Sequence, residues 1–229
     1  MKKIAVITGA SKGIGKSCAK LFLKKGYITI NASRTDSEKI KHRNYFFIKT
    51  DVTKESDIKK LFNYVTKEFG NTDVLICNAG FGRFSNLVDS KTSDFDEMFS
   101  VNVRGLYLCI RYVLPSMLER KSGTIINISS VSGKNGIATA SIYSATKHAV
   151  MGLSSSLMAE VRKDNIRVVT ICPGSVDTNF FDDPSAILNS RRDSILSPDE
   201  VAEVCLLSAE LPQRALMNEV EIRPLNPQK

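Results

Sequence analysis

A tyrosine and a lysine four positions apart are candidates for acid–base chemistry. Tyr143 and Lys147 are the two ends of the run Y-S-A-T-K, and on a helix that spacing places both side chains on one face. An ordinary phenol has a pKa near ~10, but a neighbouring ammonium favours the phenolate and lowers that value. Such a pair could act as general acid or general base. The same spacing also fits two surface side chains that do no chemistry.

A glycine-rich segment near the amino terminus is a candidate for phosphate binding. Residues 8–15 read T-G-A-S-K-G-I-G and follow a short apolar run at 4–7. A glycine turn between a strand and a helix lets backbone N–H groups approach a pyrophosphate, and the helix dipole favours the negative charge. A tight glycine turn with no ligand is the alternative. The candidate binding residues are Gly9, Ser11, Lys12, Gly13, Ile14 and Gly15.

Val- and Ile-rich runs alternate with amphipathic helical patterns and must position these candidates. Strands are predicted at 3–8, 27–32, 45–49, 73–77, 124–129, 167–172 and 219–223. Helices are predicted at 14–22, 58–69, 94–118 and 143–161, and the run S-P-D-E at 197–200 is typical of a helix start. Pro115 is expected to kink or end the third helix. The alternation predicts an α/β fold, a single doubly wound domain over residues 1–229 with about seven parallel strands and helices on both faces.

Composition restricts the class of protein. Of the 229 residues, 42% are hydrophobic and 24% charged, which is typical of a globular domain. No run approaches the ~18 apolar residues of a membrane helix, and the run at 4–7 is shorter than the ~7–15 residues of a signal-peptide core. We therefore expect a cytoplasmic protein with no membrane partner. The 5 scattered cysteines are expected to be reduced thiols, and 2 histidines make a metal site unexpected.

The net charge of +8 admits two interpretations. It could attract an anionic partner such as a phosphorylated cofactor, an acidic carrier or nucleic acid. It could equally be a lysine-rich surface with no binding role. The lysines are spread along the chain without a long basic block, and tryptophan is absent, so nucleic acid is not expected as a partner.

Four motifs in the same order give the chain a family resemblance. The run at 8–15 resembles the T-G-x-x-x-G-x-G loop of the short-chain dehydrogenase/reductase family, whose domain is of the Rossmann type. The runs N-A-G at 78–80, D-V at 51–52 and P-G-S-V-D-T at 173–178 resemble three further elements of that family. The resemblance implies cofactor contacts from Asp51, Val52, Asn78, Ala79, Gly80, Tyr143, Lys147, Pro173, Gly174, Val176 and Thr178.

The resemblance also implies roles for four catalytic residues. The family's serine lies about a dozen residues before the tyrosine, which selects Ser130 over Ser129 to orient the substrate oxygen. Tyr143 would exchange the proton, and Lys147 would lower its pKa and bind the nicotinamide ribose. Asn102 resembles the family's helical asparagine, which supports a proton relay to the lysine. No metal is implied.

The end of the second strand indicates which dinucleotide binds. It reads N-A-S-R at 31–34 and carries no carboxylate at the turn, since Asp36 comes slightly later. Arg34 can form a fork with a 2′-phosphate, Lys12 could reach the same group, and Ser33 could donate a hydrogen bond. NADP(H) is therefore predicted. The alternative is that Arg34 and Lys12 are solvated cations and that NAD(H) binds loosely.

The sequence departs from the family pattern at two places, of which the carboxyl-terminal one concerns the substrate. Cys77 stands where a second asparagine is common, and the carboxyl-terminal run is not a glycine-rich strand of the V-D-G-G type.

Substrate contacts are expected from 81–84, from 132–140 and from a loop at about 178–197. Phe180 and Phe181 would form an apolar lid or anchor the loop to the core. A substrate carboxylate or phosphate could meet Arg83, Arg191 or Arg192, each of which could instead be a solvated surface residue.

The implied function is an NADPH-dependent carbonyl reductase acting on a small aldehyde, ketone or keto acid. An NADP-dependent hydroxy-acid dehydrogenase and a 3-oxoacyl reductase are alternatives within the enzyme class. A cofactor-sensing regulator without catalysis is the alternative from another class, because fold alone does not fix function. Family members usually pair through the helices at 94–118 and 143–161, so a homodimer or homotetramer is expected. Small residues of the second helix, Ala149, Gly152, Ser155 and Ser156, would either allow that packing or lie on the chain's own sheet.

Overall fold

The fold is seen in a computed structural model that describes residues 2–36, 39–182 and 192–226. Seven parallel strands form one sheet in the order β3-β2-β1-β4-β5-β6-β7. This confirms the predicted doubly wound α/β fold of the Rossmann type. The strands are β1 Ile4–Thr8, β2 Ile28–Ser33, β3 Tyr45–Lys49, β4 Val74–Cys77, β5 Gly123–Ile128, β6 Ile166–Pro173 and β7 Glu219–Ile222.

Helices cover both faces of the sheet. They are α1 Gly13–Lys24, α2 Glu55–Glu68, α3 Thr92–Phe99, α4 Leu106–Arg120, α5 Ser141–Val161 and α6 Pro198–Glu210. The apolar sides of α2, α4 and α5 pack on one face of the sheet, and those of α1 and α6 pack on the other. The predicted start of α6 is a full capping box, in which Ser197 and Glu200 bond each other's backbone N–H groups.

The predicted helix at 94–118 differs from the structure. It is α3 followed by a π-helical segment, Ser100–Gly105, and then α4. A π-helical turn is a local widening that is frequent at functional sites. Pro115 neither ends nor interrupts α4, which continues to Arg120 and stops where Lys121 adopts a left-handed backbone at φ 50°. A left-handed residue at this position is a common helix stop.

Two buried layers form the core on either side of the central strands. Ala5 and Ile7 face the α1 and α6 side, whereas Ile4 and Val6 face the α2, α4 and α5 side. This is the alternation that a strand covered on both faces requires. All five cysteines are buried free thiols. Within the described ranges, no helix is both long and apolar enough to cross a membrane.

Candidate active site

The candidate residues meet at the edge of the sheet formed by the carboxyl ends of β1, β4, β5 and β6. The chain runs outward from β1 to β2 and β3, then returns to the other side of β1 with β4. Helices leaving β1 and β4 therefore lie on opposite faces, and a crevice opens between the two strand ends. The glycine loop after β1 and the run at 78–80 after β4 border this crevice.

The glycine loop needs its glycines for geometric reasons. Gly9 and Gly13 adopt left-handed backbone conformations, at φ 68° and 55°, which side chains rarely allow. At Gly15 a Cβ atom would stand 2.5 Å from both the Gly9 carbonyl oxygen and Asn78 Nδ2. Lys12, at the amino-terminal cap of α1, is exposed and its own side chain does not cap the helix. The loop therefore brings bare backbone to the start of α1, as a phosphate requires.

Asn78 fixes this loop from the neighbouring strand. Its Nδ2 donates to the carbonyl oxygens of Thr8 and Gly9, at 3.0 and 3.1 Å. The backbone N–H groups of Asn78 and Ala79 both donate to Thr8 Oγ1 at 3.0 Å. Sequence reasoning did not single out Thr8, although it stands in the motif as the residue before Gly9. Thr8 and Asn78 hold the two sides of the crevice together.

The polar side chains at the end of β2 differ in their exposure to solvent. The Ser33 hydroxyl donates to Asn31 Oδ1 at 2.5 Å, and Ser33 is buried. The Asp36 carboxylate accepts from Tyr45 OH at 2.8 Å and from Asn31 Nδ2 at 3.3 Å. Arg34 is exposed. The Asp36 carboxylate is therefore already hydrogen-bonded, while the Arg34 guanidinium faces solvent.

Asp51 and Val52 follow β3 as the sequence predicts. Burial acts to raise the pKa of Asp51, but hydrogen bonds from the Thr53 hydroxyl and N–H, with the charges of Lys54 and Arg34, lower it below its usual value. Asp51 is therefore a carboxylate at neutral pH. Val52 is buried against the π-helical segment, where a Cβ on Gly105 would approach Val52 Cγ2 to 2.8 Å.

The structure brings Tyr143, Lys147 and Ser130 together. Tyr143 and Lys147 lie on one buried face of α5, and Lys147 Nζ is 5.6 Å from the centre of the Tyr143 ring. Lys147 Nζ donates to the carbonyl oxygen of Ile128 at 3.0 Å, at the end of β5. Ser130 follows two residues later, accepts from the Ser132 N–H at 3.1 Å and hydrogen-bonds the Tyr143 phenol. Ser129 instead donates to the Lys147 carbonyl, so its hydroxyl supports α5.

Burial controls the proton affinity of both groups. It raises the pKa of Tyr143 to about 12, against the opposite effect of the Ser130 hydrogen bond. Burial also lowers the pKa of Lys147 to about 8, against a small opposite effect of Cys172. The net pKa of Tyr143 is raised because burial disfavours the charged phenolate more than the Ser130 hydrogen bond favours it, and the effect of Lys147 on this pKa stays a prediction. Tyr143 therefore holds its proton at neutral pH.

Burial of Lys147 predicts that stability depends on pH. Its pKa falls from 10.5 to about 8 on folding, so the unfolded chain binds more protons between these values. Above pH 10.5 the Lys147 amine is uncharged in both states, and its burial does not lower the stability of the fold. As the pH falls from 10.5 to about 8, the unfolded chain takes up the proton first, and the free energy of unfolding decreases. From about pH 7.5 to about pH 9.5 the free energy of unfolding should rise by about 2 kcal/mol more in the wild type than in Lys147→Met.

Urea unfolding of both proteins at these two pH values measures this difference. The exposed Lys163 serves as the control, since Lys163→Met should follow the wild type at both pH values. Equal pH dependence of the free energy of unfolding in the wild type and Lys147→Met would show that folding does not lower the pKa of Lys147.

Asn102 lies in the π-helical segment and is buried. Its Oδ1 accepts from the Phe81 N–H at 3.0 Å, and its Nδ2 donates to the Phe81 carbonyl at 2.9 Å and to Thr146 Oγ1 at 3.1 Å. Thr146 in turn donates to the Tyr143 carbonyl at 2.7 Å. Asn102 thus ties the loop after β4 to the helix turn between Tyr143 and Lys147. Thr146 is a contact that sequence reasoning missed, although it stands between the two catalytic candidates.

The run at 173–178 completes the crevice opposite the glycine loop. Gly174 N–H donates to the Ile222 carbonyl at 2.8 Å, and Val176 pairs with Leu196 in an isolated bridge. A Cβ on Gly13 would lie 3.2 Å from Thr178 Cγ2, so Thr178 stands beside the glycine loop. Pro173 is the last residue of β6. The two predicted cofactor-binding segments therefore face each other.

Two of the three arginines suggested for substrate binding form ion pairs with carboxylates of this chain. Arg83 forms ion pairs with Asp94 and Glu97, at 2.7 and 2.9 Å. Arg192 pairs with Asp177 at 2.7 Å. Arg191 lies outside the described residues. Carboxylates of this chain thus already occupy the two guanidinium groups that can be placed.

Comparison with known proteins relates the whole chain to one group of enzymes. The family profile described as short chain dehydrogenase matches residues 3–186. An uncharacterized oxidoreductase of Staphylococcus aureus strain MRSA252 is 34% identical over 229 residues, which cover 97% of each chain.

Two solved structures superpose on nearly the whole of this chain. A structure described as ElxO with NADP bound superposes with a TM-score of 0.87 at 31% identity, covering 96% of this chain and 98% of that one. An alcohol dehydrogenase from the archaeon Thermococcus sibiricus, complexed with 5-hydroxy-NADP, superposes with a TM-score of 0.88 at 30% identity over the full length of both chains.

Proposed function

This chain belongs to the short chain dehydrogenase family, and we propose that it is an NADP(H)-dependent oxidoreductase that reduces a carbonyl compound to an alcohol. The observation that carries this proposal is the meeting of Tyr143, Lys147 and Ser130 beside the glycine loop at one sheet edge. A buried, protonated phenol next to a hydroxyl is suited to giving a proton to a carbonyl oxygen.

The crevice fits a phosphorylated dinucleotide. Backbone at Gly9, Gly13 and Gly15 would hold the pyrophosphate, because the glycine loop folds back on itself so closely that a Cβ at Gly15 would stand 2.5 Å from the Gly9 carbonyl oxygen. Arg34 and Lys12 would hold the 2′-phosphate, and Asp51 would lie beside the adenine. The bound forms of ElxO and of the Thermococcus sibiricus alcohol dehydrogenase support NADP as the cofactor. When bound, NADPH supplies the hydride.

Arg34 is expected to determine the preference for NADPH. Its side chain is exposed and the nearby Asp36 carboxylate is engaged by Tyr45 and Asn31, so a 2′-phosphate would meet a free guanidinium. Losing one charge-assisted hydrogen bond costs about 1.5–3 kcal/mol. Arg34→Ala should therefore raise the dissociation constant for NADPH by about 10- to 100-fold and leave that for NADH within about twofold.

Titration of NADPH and NADH fluorescence against the purified variants measures both constants. Arg43→Ala is the matched control, because Arg43 is an exposed arginine just before β3, at the opposite end of the strands. If Arg34→Ala weakened NADPH and NADH equally, Arg34 would not contact the 2′-phosphate.

Residues of this chain account for the proton transfer. Tyr143 would donate the phenolic proton to the substrate oxygen, which Ser130 would orient. Lys147, with a pKa lowered to about 8, can gain and lose a proton near neutral pH and would restore the phenol. Asn102 would hold this arrangement in place through Phe81 and Thr146. The raised pKa of Tyr143 keeps the phenol protonated at neutral pH, which is the form that carbonyl reduction requires.

The test is NADPH and NADH oxidation against a panel of aldehydes, ketones and keto acids. Turnover with NADPH supports the proposal and ranks the substrates. Tight NADPH binding without turnover on any of them would point to a cofactor-sensing regulator. Absence of NADPH binding would overturn the proposal.

We also propose that copies of the chain pair through α4 and α5. Gly152, Ser155 and Ser156 are exposed on α5 and do not pack on the chain's own sheet. Tyr107 is exposed on α4. Small residues allow two helices to approach closely, which supports a homodimer or homotetramer. The cytoplasmic location stays a prediction from the sequence.

A further inference from the structure

Two phenylalanine rings lie beside the proton donor, Tyr143. The Phe84 and Phe180 rings each lie with their centres 5.6 Å from the centre of the Tyr143 ring and 5.7 Å from each other. Phe84 comes from the loop after β4, and Phe180 comes from the segment after β6. A carbonyl compound bound beside the Tyr143 ring would therefore contact an aromatic surface.

The backbone is shaped around these rings. A Cβ atom at Gly82 would lie 2.9 Å from both Phe84 Cζ and Phe180 Cζ, so a larger residue there would displace the rings. The Ser85 N–H donates to the Thr139 carbonyl at 2.8 Å, which joins the Phe84 loop to the segment that precedes Tyr143. Both rings are half-buried. These contacts place the Phe84 ring against both Phe180 and Tyr143.

Exposed apolar side chains continue this surface outward. Leu87 and Val88 follow Phe84 along the chain and are 65% and 90% exposed. Ile137, in the segment joined to that loop through Thr139, is 49% exposed. Exposed apolar groups beside a cleft are typical of a site that binds an apolar ligand.

The cations in the loops around these rings are already paired. The loops concerned are those parts of 81–90, 131–140, 174–182 and 192–197 that the structure describes, and their cations are Arg83, Lys134 and Arg192. Arg83 pairs with Asp94 and Glu97, and Arg192 with Asp177. Lys134 Nζ lies 2.8 Å from Glu219 and 3.0 Å from Glu221. A substrate carboxylate would have to displace one of these partners or lie unpaired against aromatic rings, and both are unfavourable.

We propose that the substrate is an uncharged carbonyl compound with an apolar, aromatic-sized body, bound between Phe84 and Phe180; this rests on the proposed function. In the reaction, the carbonyl carbon gains the hydride and its oxygen gains the Tyr143 proton. The C=O π bond breaks, and NADPH is oxidised to NADP⁺. A keto acid or hydroxy acid is a poor substrate because Arg83, Lys134 and Arg192, the cations in the described parts of these loops, are already paired with carboxylates.

The test compares two aldehydes that differ only in charge, methyl 4-formylbenzoate and 4-formylbenzoate. With NADPH, kcat/KM for the ester should exceed that for the carboxylate by about 100-fold. Binding is measured separately on NADPH-loaded Tyr143→Phe, by the change in NADPH fluorescence. There the ester should bind at least about tenfold more tightly than the carboxylate.

Variants assign the preference to the rings. Phe84→Ala should raise KM for the ester by about tenfold, and Phe84→Leu, which keeps an apolar surface, by no more than about threefold. Phe95→Ala is the control, since Phe95 is an exposed ring on α3 that stacks on Phe99. NADPH affinity should be unchanged in all three variants.

The outcomes separate this inference from the proposed function. Turnover of the carboxylate as fast as, or faster than, the ester would overturn the apolar-substrate inference and leave the oxidoreductase proposal standing. Equal binding of both aldehydes to NADPH-loaded Tyr143→Phe would also overturn it. Bound NADPH with no turnover of either aldehyde, or of the wider carbonyl panel, would overturn both.

Discussion

Tyr143→Phe should lower kcat for carbonyl reduction by about 10³-fold while the dissociation constant for NADPH stays within about twofold. The variant keeps the ring, and with it the contacts to Phe84, Phe180 and the Lys147 ammonium. It removes only the proton that the substrate oxygen must receive and the hydrogen bond with Ser130. Stopped-flow NADPH oxidation at saturating substrate gives kcat, and fluorescence titration gives the NADPH affinity.

Tyr27→Phe is a close control for this experiment. Tyr27 is also buried, burial raises its pKa to about 12, and its hydroxyl has no hydrogen-bond partner in the described structure. Its removal should leave kcat unchanged. A Tyr143→Phe enzyme that retained a tenth or more of the wild-type kcat would mean that another group, or water, protonates the substrate.

Gly15→Ala should both prevent cofactor binding and destabilise the fold. The added methyl would stand 2.5 Å from the Gly9 carbonyl oxygen and from Asn78 Nδ2, so the glycine loop or Asn78 must move. Either movement breaks the hydrogen bonds from Asn78 to Thr8 and Gly9. We expect the free energy of unfolding to fall by about 2–4 kcal/mol. The affinity for NADPH should fall by more than about 100-fold, because backbone N–H groups lose their alignment.

The sign of the stability change makes this prediction specific. Within a helix, glycine to alanine normally stabilises by about 0.5–1 kcal/mol, and Gly15 lies within α1. Urea unfolding of the variant gives the sign. Gly136→Ala is the control, because a Cβ there would meet nothing within 4 Å. A stabilised Gly15→Ala protein that binds NADPH normally would refute the close approach at this residue.

The order of strands and helices could be predicted from the sequence because its signals are local. Short runs rich in apolar, β-branched or aromatic residues mark the strands, and the run at 45–49 predicts β3 where the structure has it. The capping box at Ser197 and Glu200 is likewise a local pattern. Tyr143 and Lys147 could be placed on one face because helical spacing alone fixes that relation.

Features that depend on distant parts of the chain could not be predicted. The π-helical segment after Phe99 accompanies hydrogen bonds between Asn102 and Phe81, which are 21 residues apart. The ion pair of Arg192 with Asp177 joins residues that are 15 apart in the chain. The pKa of Tyr143 is raised because other segments of the chain bury the phenol. The spacing of Tyr143 and Lys147 along α5 does not reveal that burial.

The buried free thiols give this protein an internal reporter of its own opening motions. All five sulfhydryls are sequestered, at 4% exposure or less, and a thiol-specific reagent attacks only a solvent-accessible thiolate. Each labelling event therefore has to await a fluctuation that uncovers its cysteine. Cys18 and Cys205 report separation of α1 from α6, whereas Cys77 and Cys109 report separation of α4 from the central strands. Slower labelling in the presence of a ligand would show which side of the sheet the ligand stabilises.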